Sequence, residues 1–134
     1  MSIKAMNRLS ATVSVQRLAE AVQYDPEAGV FVWRQRPVDH FSRPDKAAKW
    51  NGKYAGKQAF TSADPRGYFR GMIDQKMFYA HRAAVALQSG HWPTGGVDHI
   101  NRCKSDNRAS NLRVVTHSEN RMNTADCDRK RGVF

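Results

Sequence analysis

Asp98 and His99 stand side by side in VDHIN, Asn111 follows twelve residues after the histidine in NLR, and Asn120 lies nine further on in SEN. A carboxylate, an imidazole and two amides in this order suit the hydrolysis of a phosphodiester. That reaction needs a water activated in line with the leaving oxygen and a means of absorbing charge on the phosphoryl oxygens. Histidine meets the first need, because its ordinary pKa lies close to neutrality. A divalent cation meets the second, since Mg²⁺ takes one or two protein oxygens while keeping waters and binding substrate phosphate. His99 is therefore the candidate base, and Asn111 the amide whose oxygen would hold the other imidazole N–H; Asp98 and Asn120 are the candidate metal donors. Each also has an ordinary structural use, as a turn, a cap or the entry to a strand. The weight lies on the combination. Among the other histidines, His117 is a spare ligand candidate three residues before Asn120, His81 reads as packed, and His40 and His91 read as loop residues. Asp106 and Asn107 read as shaping a loop.

The surrounding pattern says how such residues would be held. Val97 to Ile100 is a β-prone run, residues 101–110 are polar, and Leu112 to Val115 is a second strand. Thr116 and Glu119 have capping-box spacing, which would start a helix at His117. Strand, loop, strand, helix is the expected order. Because strand side chains alternate, Asp98 and His99 can serve one site only at a strand end or a bulge.

Upstream, residues 1–13 are weakly patterned and read as a frayed lead-in. Val15, Leu18, Ala19 and Val22 recur at helical spacing behind the candidate cap Ser14, and the helix is expected to stop at Tyr24 before the turn DPEAG. Val30 to Trp33 is a strand. From Arg34 to Lys57 the periodicity fades and seven cations face two anions, so half of the chain's formal charge of +10 sits in this segment. It reads as a loop, either merely solvated or gripping phosphate through Arg34, Arg36, Lys46, Lys49 and Lys53, with Trp50 and Tyr54 available to pack or stack. Gly67 to Tyr79 reads as a hairpin turning at Asp74 and Gln75, with Arg70 and Lys76 deciding whether it meets DNA. A second helix follows from Ala80 and closes at Gly90. The punctuation PTGG then divides an accessory region, residues 1–95, from a catalytic motif with a basic tail, residues 96–134.

The positive balance favours a polyanionic partner, and nucleic acid is preferred to a membrane surface because the apolar runs are only a few residues long. No secretory pattern opens the chain, so a cytoplasmic setting is expected. There Cys103 and Cys127, which form no C-x-x-C, would be ordinary thiols. The sequence contains no phosphate-cradling G-x-x-x-x-G-K and no G-x-G-x-x-G.

Taken together, AHRAAV, VDHIN, KSDNR, NLRVVT and SEN make residues 79–123 resemble the HNH endonucleases, in particular the phage and intron-borne homing-type branch. That resemblance implies an α+β fold with a ββα-metal core, beside an N-terminal helix and a small β-hairpin or sheet region. It also implies one divalent ion and DNA cleavage leaving 5′-phosphate and 3′-hydroxyl ends. Carried over, His99 is the general base, Asn111 orients it, and Asp98 with Asn120 holds the metal. An asparagine rather than a histidine at position 120 favours Mg²⁺ or Mn²⁺ over Zn²⁺. The expected partner is double-stranded DNA in a bacterial host cell, bound by a monomer or homodimer, with Arg102, Lys104, Arg108 and Arg121 adding cations near the site. The competing reading is a DNA-binding protein that keeps this scaffold without cleaving.

Overall fold

The computed structural model describes residues 12–115. Asn120, His117, Arg121 and the helix expected from His117 lie outside the described residues. The elements run α1 (Val15–Ala21), β1 (Val22–Asp25), β2 (Val30–Trp33), a 3₁₀ turn (Val38–His40), α2 (Pro44–Tyr54), β3 (Gln58–Ala59), β4 (Ser62–Ala63), β5 (Phe69–Ile73) and β6 (Lys76–Tyr79). They continue with α3 (Ala80–Ser89), β7 (Gly96–His99), a second 3₁₀ turn (Ala109–Asn111) and β8 (Leu112–Val115). The strands form three antiparallel sheets, ordered β1-β2-β3, β4-β5-β6 and β7-β8. The architecture is α+β, and β7 and β8 are the two strands of the ββα pattern.

Ser14 caps α1, its hydroxyl accepting the Arg17 N–H at 3.1 Å. The helix ends at Ala21 rather than at Tyr24, because residues 22–25 pair with β2, Val22 opposite Trp33 and Asp25 opposite Val30. Helical spacing reached one residue too far, into a β-branched side chain that pairs as a strand. Asp25 then shapes the turn, its carboxylate accepting the Glu27 and Ala28 N–H groups. Val13 is no frayed residue: it is buried, and its carbonyl accepts the Trp92 indole N–H at 2.6 Å.

The basic segment is not one loop, because α2 occupies Pro44–Tyr54. Proline in its first turn, with Asp45 there and Lys53 in the last, suits the helix and its dipole. Ala47 is its one buried residue, so no apolar stripe marks the helix in the sequence.

Phe60 joins two of the sheets. Its ring lies 4.9 Å from Phe31, 5.4 Å from Trp33 and 5.1 Å from Phe78. Gly71 makes room for it, since a Cβ there would fall 2.2 Å from the Phe60 ring. The β5–β6 hairpin turns at Asp74 and Gln75 with φ of +55° and +64°, the sense that matches strand twist. Along α3, Ala80, Ala83, Ala84 and Ala86 are buried, which lets the helix lie close to its neighbours, and Gly90 closes it with φ +89°. Among the described residues no helix is long and apolar enough to cross a membrane.

Candidate active site

β7 and β8 pair so that Asp98 lies opposite Arg113 and His99 opposite Leu112. The pleat then sends the two side chains to different neighbours. The Asp98 carboxylate meets the Arg113 guanidinium at 3.2 Å. His99, the last residue of β7, points into a cluster of rings, 5.0 Å from His81 and 5.9 Å from Tyr68. The strand-end condition is met by position.

The loop between the strands is tied by its own side chains. The Asn111 amide oxygen accepts the Asn101 N–H at 2.9 Å, and its NH₂ donates to Asn101 Oδ1 and to the Asp106 carbonyl, each at 2.9 Å. Asn101 Oδ1 also accepts the Cys103 N–H, and the Asn101 NH₂ donates to Asp106 at 2.7 Å. Arg108 grips Asp106 with two parallel bonds, at 2.8 and 2.7 Å. That grip holds the Asp106 carboxyl down at about 2. Cys103 is buried and disulfide-bonded, not the ordinary thiol expected; sequence separation does not reveal which thiols can meet.

One expected role moves. The amide facing the imidazole belongs to Asn107, whose Oδ1 lies 2.9 Å from His99 Nε2. Asn111 braces the loop that carries Asn107. Asparagines four residues apart in one loop look alike in sequence, and only the path of the loop decides which reaches the ring. Asn107 is in turn held by the N-terminal half, since the Tyr24 hydroxyl donates to its carbonyl. Burial pushes the Tyr24 phenol up to about 12, so it stays a donor. Pro26 accepts the Ala109 N–H at 2.9 Å, and Gly29, at φ +74°, lies where a Cβ would fall 2.4 Å from the Arg108 nitrogen. Hydrogen bonds therefore cross the boundary drawn at residue 95.

The wall beside His99 comes from the segment before β5 and from the start of α3. Asp64 accepts N–H bonds from Arg66 and Tyr68 and the Tyr79 hydroxyl, which fixes the turn presenting Tyr68. His81 packs 5.3 Å from Tyr68 and 5.6 Å from Tyr79. Burial drives His81 down to about 3 and, opposed by Asn107 and the nearby carboxylates, also lowers His99, so both rings are neutral at pH 7. Two cations stand over this wall: the Arg66 guanidinium lies 5.2 Å from the Tyr68 ring, and Lys104, 5.1 Å from the same ring, donates to the Arg66 carbonyl. Arg82 clamps the approach to β7 by donating to the carbonyls of Pro93 and Gly95, both at 2.8 Å. Arg66 and Tyr68 were not singled out from sequence; their signal is only the turn-forming string DPRGY.

The expected DNA-contacting cations divide. Lys46, Lys49 and Lys53 are exposed on α2, and Arg34 is exposed with its Nε donating to the Val22 carbonyl. Arg36 is a correction. It is 7% exposed, stacked on Phe41 and Trp50 and bonded to His40 and Asp74, because the aromatic rings of α2 and its approach close over it. His40, expected in a loop, is buried with it and bonded to Glu20 at 2.7 Å. Arg70 and Lys76 fall on opposite faces of the hairpin by register, Lys76 opposite Ile73 on the core side and Arg70 opposite Tyr79. Arg102 and Lys104 are partly exposed in the site loop, whereas Arg108 is engaged with Asp106.

A divalent ion can be weighed against the donors present. Among the described residues no cluster of three His, Cys, Asp or Glu side chains could hold a metal. Asp98 supplies one hard carboxylate near the end of β7, an oxygen donor of the kind a divalent cation takes.

Residues 78–122 match the family model described as HNH endonuclease. A solved structure of the HNH homing endonuclease I-HmuI, concerned with that protein's DNA binding and cleavage, superposes with a TM-score of 0.51 at 22% identity. The match covers 91% of this chain and 59% of that one, so this chain spans about three-fifths of the length of that relative. At that identity the likeness is one of fold. Comparison with curated proteins found no match.

Proposed function

We propose, from the match of residues 78–122 to the HNH endonuclease model, that the chain is a member of that family and a metal-dependent endonuclease of double-stranded DNA. The observation that carries this reading is His99 at the end of β7, its Nε2 held 2.9 Å from Asn107 Oδ1 and its ring kept neutral by burial. With an amide oxygen as acceptor, Nε2 carries the proton and the lone pair falls on Nδ1. A neutral ring in that tautomer takes a proton from water as the water attacks phosphorus. Asp98, with Asn120 from the segment that follows, would hold Mg²⁺ or Mn²⁺, which when bound supplies charge neutralisation on the phosphoryl and leaving oxygens. The products are a 5′-phosphate and a 3′-hydroxyl.

In this reading residues 1–95 supply much of the grip and residues 96–134 the chemistry. Arg34 and Arg70 meet the backbone away from the cut, Lys46, Lys49 and Lys53 give α2 a phosphate-binding face of its own, and Lys76 and Arg108 are secondary contacts. Arg102 and Lys104 meet phosphates beside the cut, and Arg66, 65% exposed over Tyr68, joins them. Monomer or homodimer action belongs to the same proposal, as does a cytoplasmic setting in a bacterial host, where the reducing milieu would open the Cys103 disulfide. The non-cleaving alternative draws on the Arg113 guanidinium at Asp98, which occupies the carboxylate a metal would need.

A supercoiled-plasmid assay separates the two. Nicked or linear product with Mg²⁺ or Mn²⁺, abolished by EDTA and reduced roughly 10²- to 10⁴-fold in His99→Ala, is the expected result. Salt-sensitive binding without chelator-sensitive breaks would sink the enzymatic reading in favour of the alternative.

A further inference from the structure

We propose that the groove along α2 is a second nucleic-acid site, one that takes an unstacked nucleotide of a single strand, its base against aromatic rings and its flanking phosphates on lysines. The inference rests on the nucleic-acid reading above only for the choice of ligand, and its test uses binding in place of cleavage.

The helix brings aromatic rings and lysines together on one side. Its one buried residue is Ala47, yet it carries Trp50 and Tyr54, whose rings lie 5.1 Å apart, with Phe41 5.8 Å from Trp50. Tyr54 remains 36% exposed. Lys46, Lys49 and Lys53 recur at i, i+3 and i+7, which places them within about 60° of arc on the same helix. Asp45, the one acid lining the groove, is paired with Arg43 at 3.0 Å, so the three lysines set the local charge. Rings and lysines line one concavity of about 450 Å³. That volume is in the range that encloses a small ligand such as a nucleotide.

The rings are also fixed in advance. The Arg36 guanidinium lies 4.8 Å from the Trp50 ring and 4.9 Å from Phe41, and it is held from behind by His40 and Asp74. Trp33 meets Trp50 edge-on at 4.9 Å. A platform held this way need not reorganise when a base stacks on it. Duplex backbone alone would call for the lysines but not for the rings. An aromatic floor between cations is the pattern of single-strand binding, where every base has a face to stack.

The test uses the full chain carrying His99→Ala, so that no substrate is cut, and a short fluorescent oligothymidylate. Anisotropy should report binding, accompanied by quenching of tryptophan emission. Tyr54→Ala should weaken binding about tenfold, within the range of losses seen on removing one stacking ring. Replacing Lys46, Lys49 and Lys53 together by Gln should lower the slope of log K against log salt by about 2. Trp50 supports its neighbours, so Trp50→Phe is used with circular dichroism to confirm folding and should weaken binding less than Tyr54→Ala. Unchanged affinity in both Tyr54→Ala and the triple lysine variant would overturn the proposal. So would equal competition by an oligoglutamate of matched charge, which would make the groove an acidic-peptide site. Cleavage by the His99 protein together with an indifferent α2 groove removes this inference alone; oligothymidylate binding without cleavage removes the enzymatic reading alone.

Discussion

Acid should loosen this fold through one buried histidine. His81 is 7% exposed, among Tyr68, Tyr79 and His99, and burial lowers its pKa from 6.5 to about 3. The unfolded chain takes up this proton near pH 6.5 and the folded chain only near pH 3. Between these values the unfolded state binds more protons, so stability is full above the upper value and is lost as pH falls toward the lower. From pH 7 to pH 5 the linkage relation then gives a loss of about 2 kcal/mol from this group. The carboxylates with depressed pKa values, Glu20, Asp64 and Asp106, contribute at lower pH, below the ordinary carboxylate range. His99, whose pKa burial also lowers, is present in both proteins to be compared. Urea unfolding at the two pH values, for the parent and for His81→Gln, isolates the term. The parent should lose about 2 kcal/mol more than the variant over this interval, with an unchanged m-value. Parallel pH dependences in the two proteins would refute the claim that His81 is buried and neutral.

Two asparagines of the site loop should separate by readout. Asn107→Ala removes the partner of His99 Nε2 and should cut turnover roughly 10- to 100-fold while the protein stays folded. Asn111→Ala strips bonds from Asn101 and the Asp106 carbonyl and should cost about 3 kcal/mol in urea unfolding; the reverse pattern would restore to Asn111 the role expected from sequence. At the supporting turn, Gly29→Ala forces a Cβ to 2.4 Å from the Arg108 backbone at a positive φ, and should lower thermal stability and activity together. Activity retained at full stability in that variant would show that the β1–β2 turn does not hold the loop.

What the sequence alone determined is local. The cap at Ser14, the turn at Asp25, the hairpin at Asp74 and Gln75, the helix closed by Gly90 and the two site strands each follow from a few adjacent residues whose backbone preferences agree. The family-bearing string around Asp98, His99 and Asn111 is legible for the same reason. Tertiary structure decided whatever depends on distance through space. α2 escaped notice because a helix exposed on nearly every side needs no apolar period, and β1 because one valine satisfies helical spacing and strand pairing alike. Arg36 carries the same formal charge as Lys49, but one is enclosed by rings and the other meets solvent. The chain's order could not say that Asn107 would face His99 while Asn111 tied the loop beneath it. Nor could it say that Tyr24, Pro26 and Gly29 would brace that loop, or that Tyr68 and His81 would wall the imidazole. Those contacts join segments tens of residues apart, and their geometry exists only after the sheets and α3 have packed.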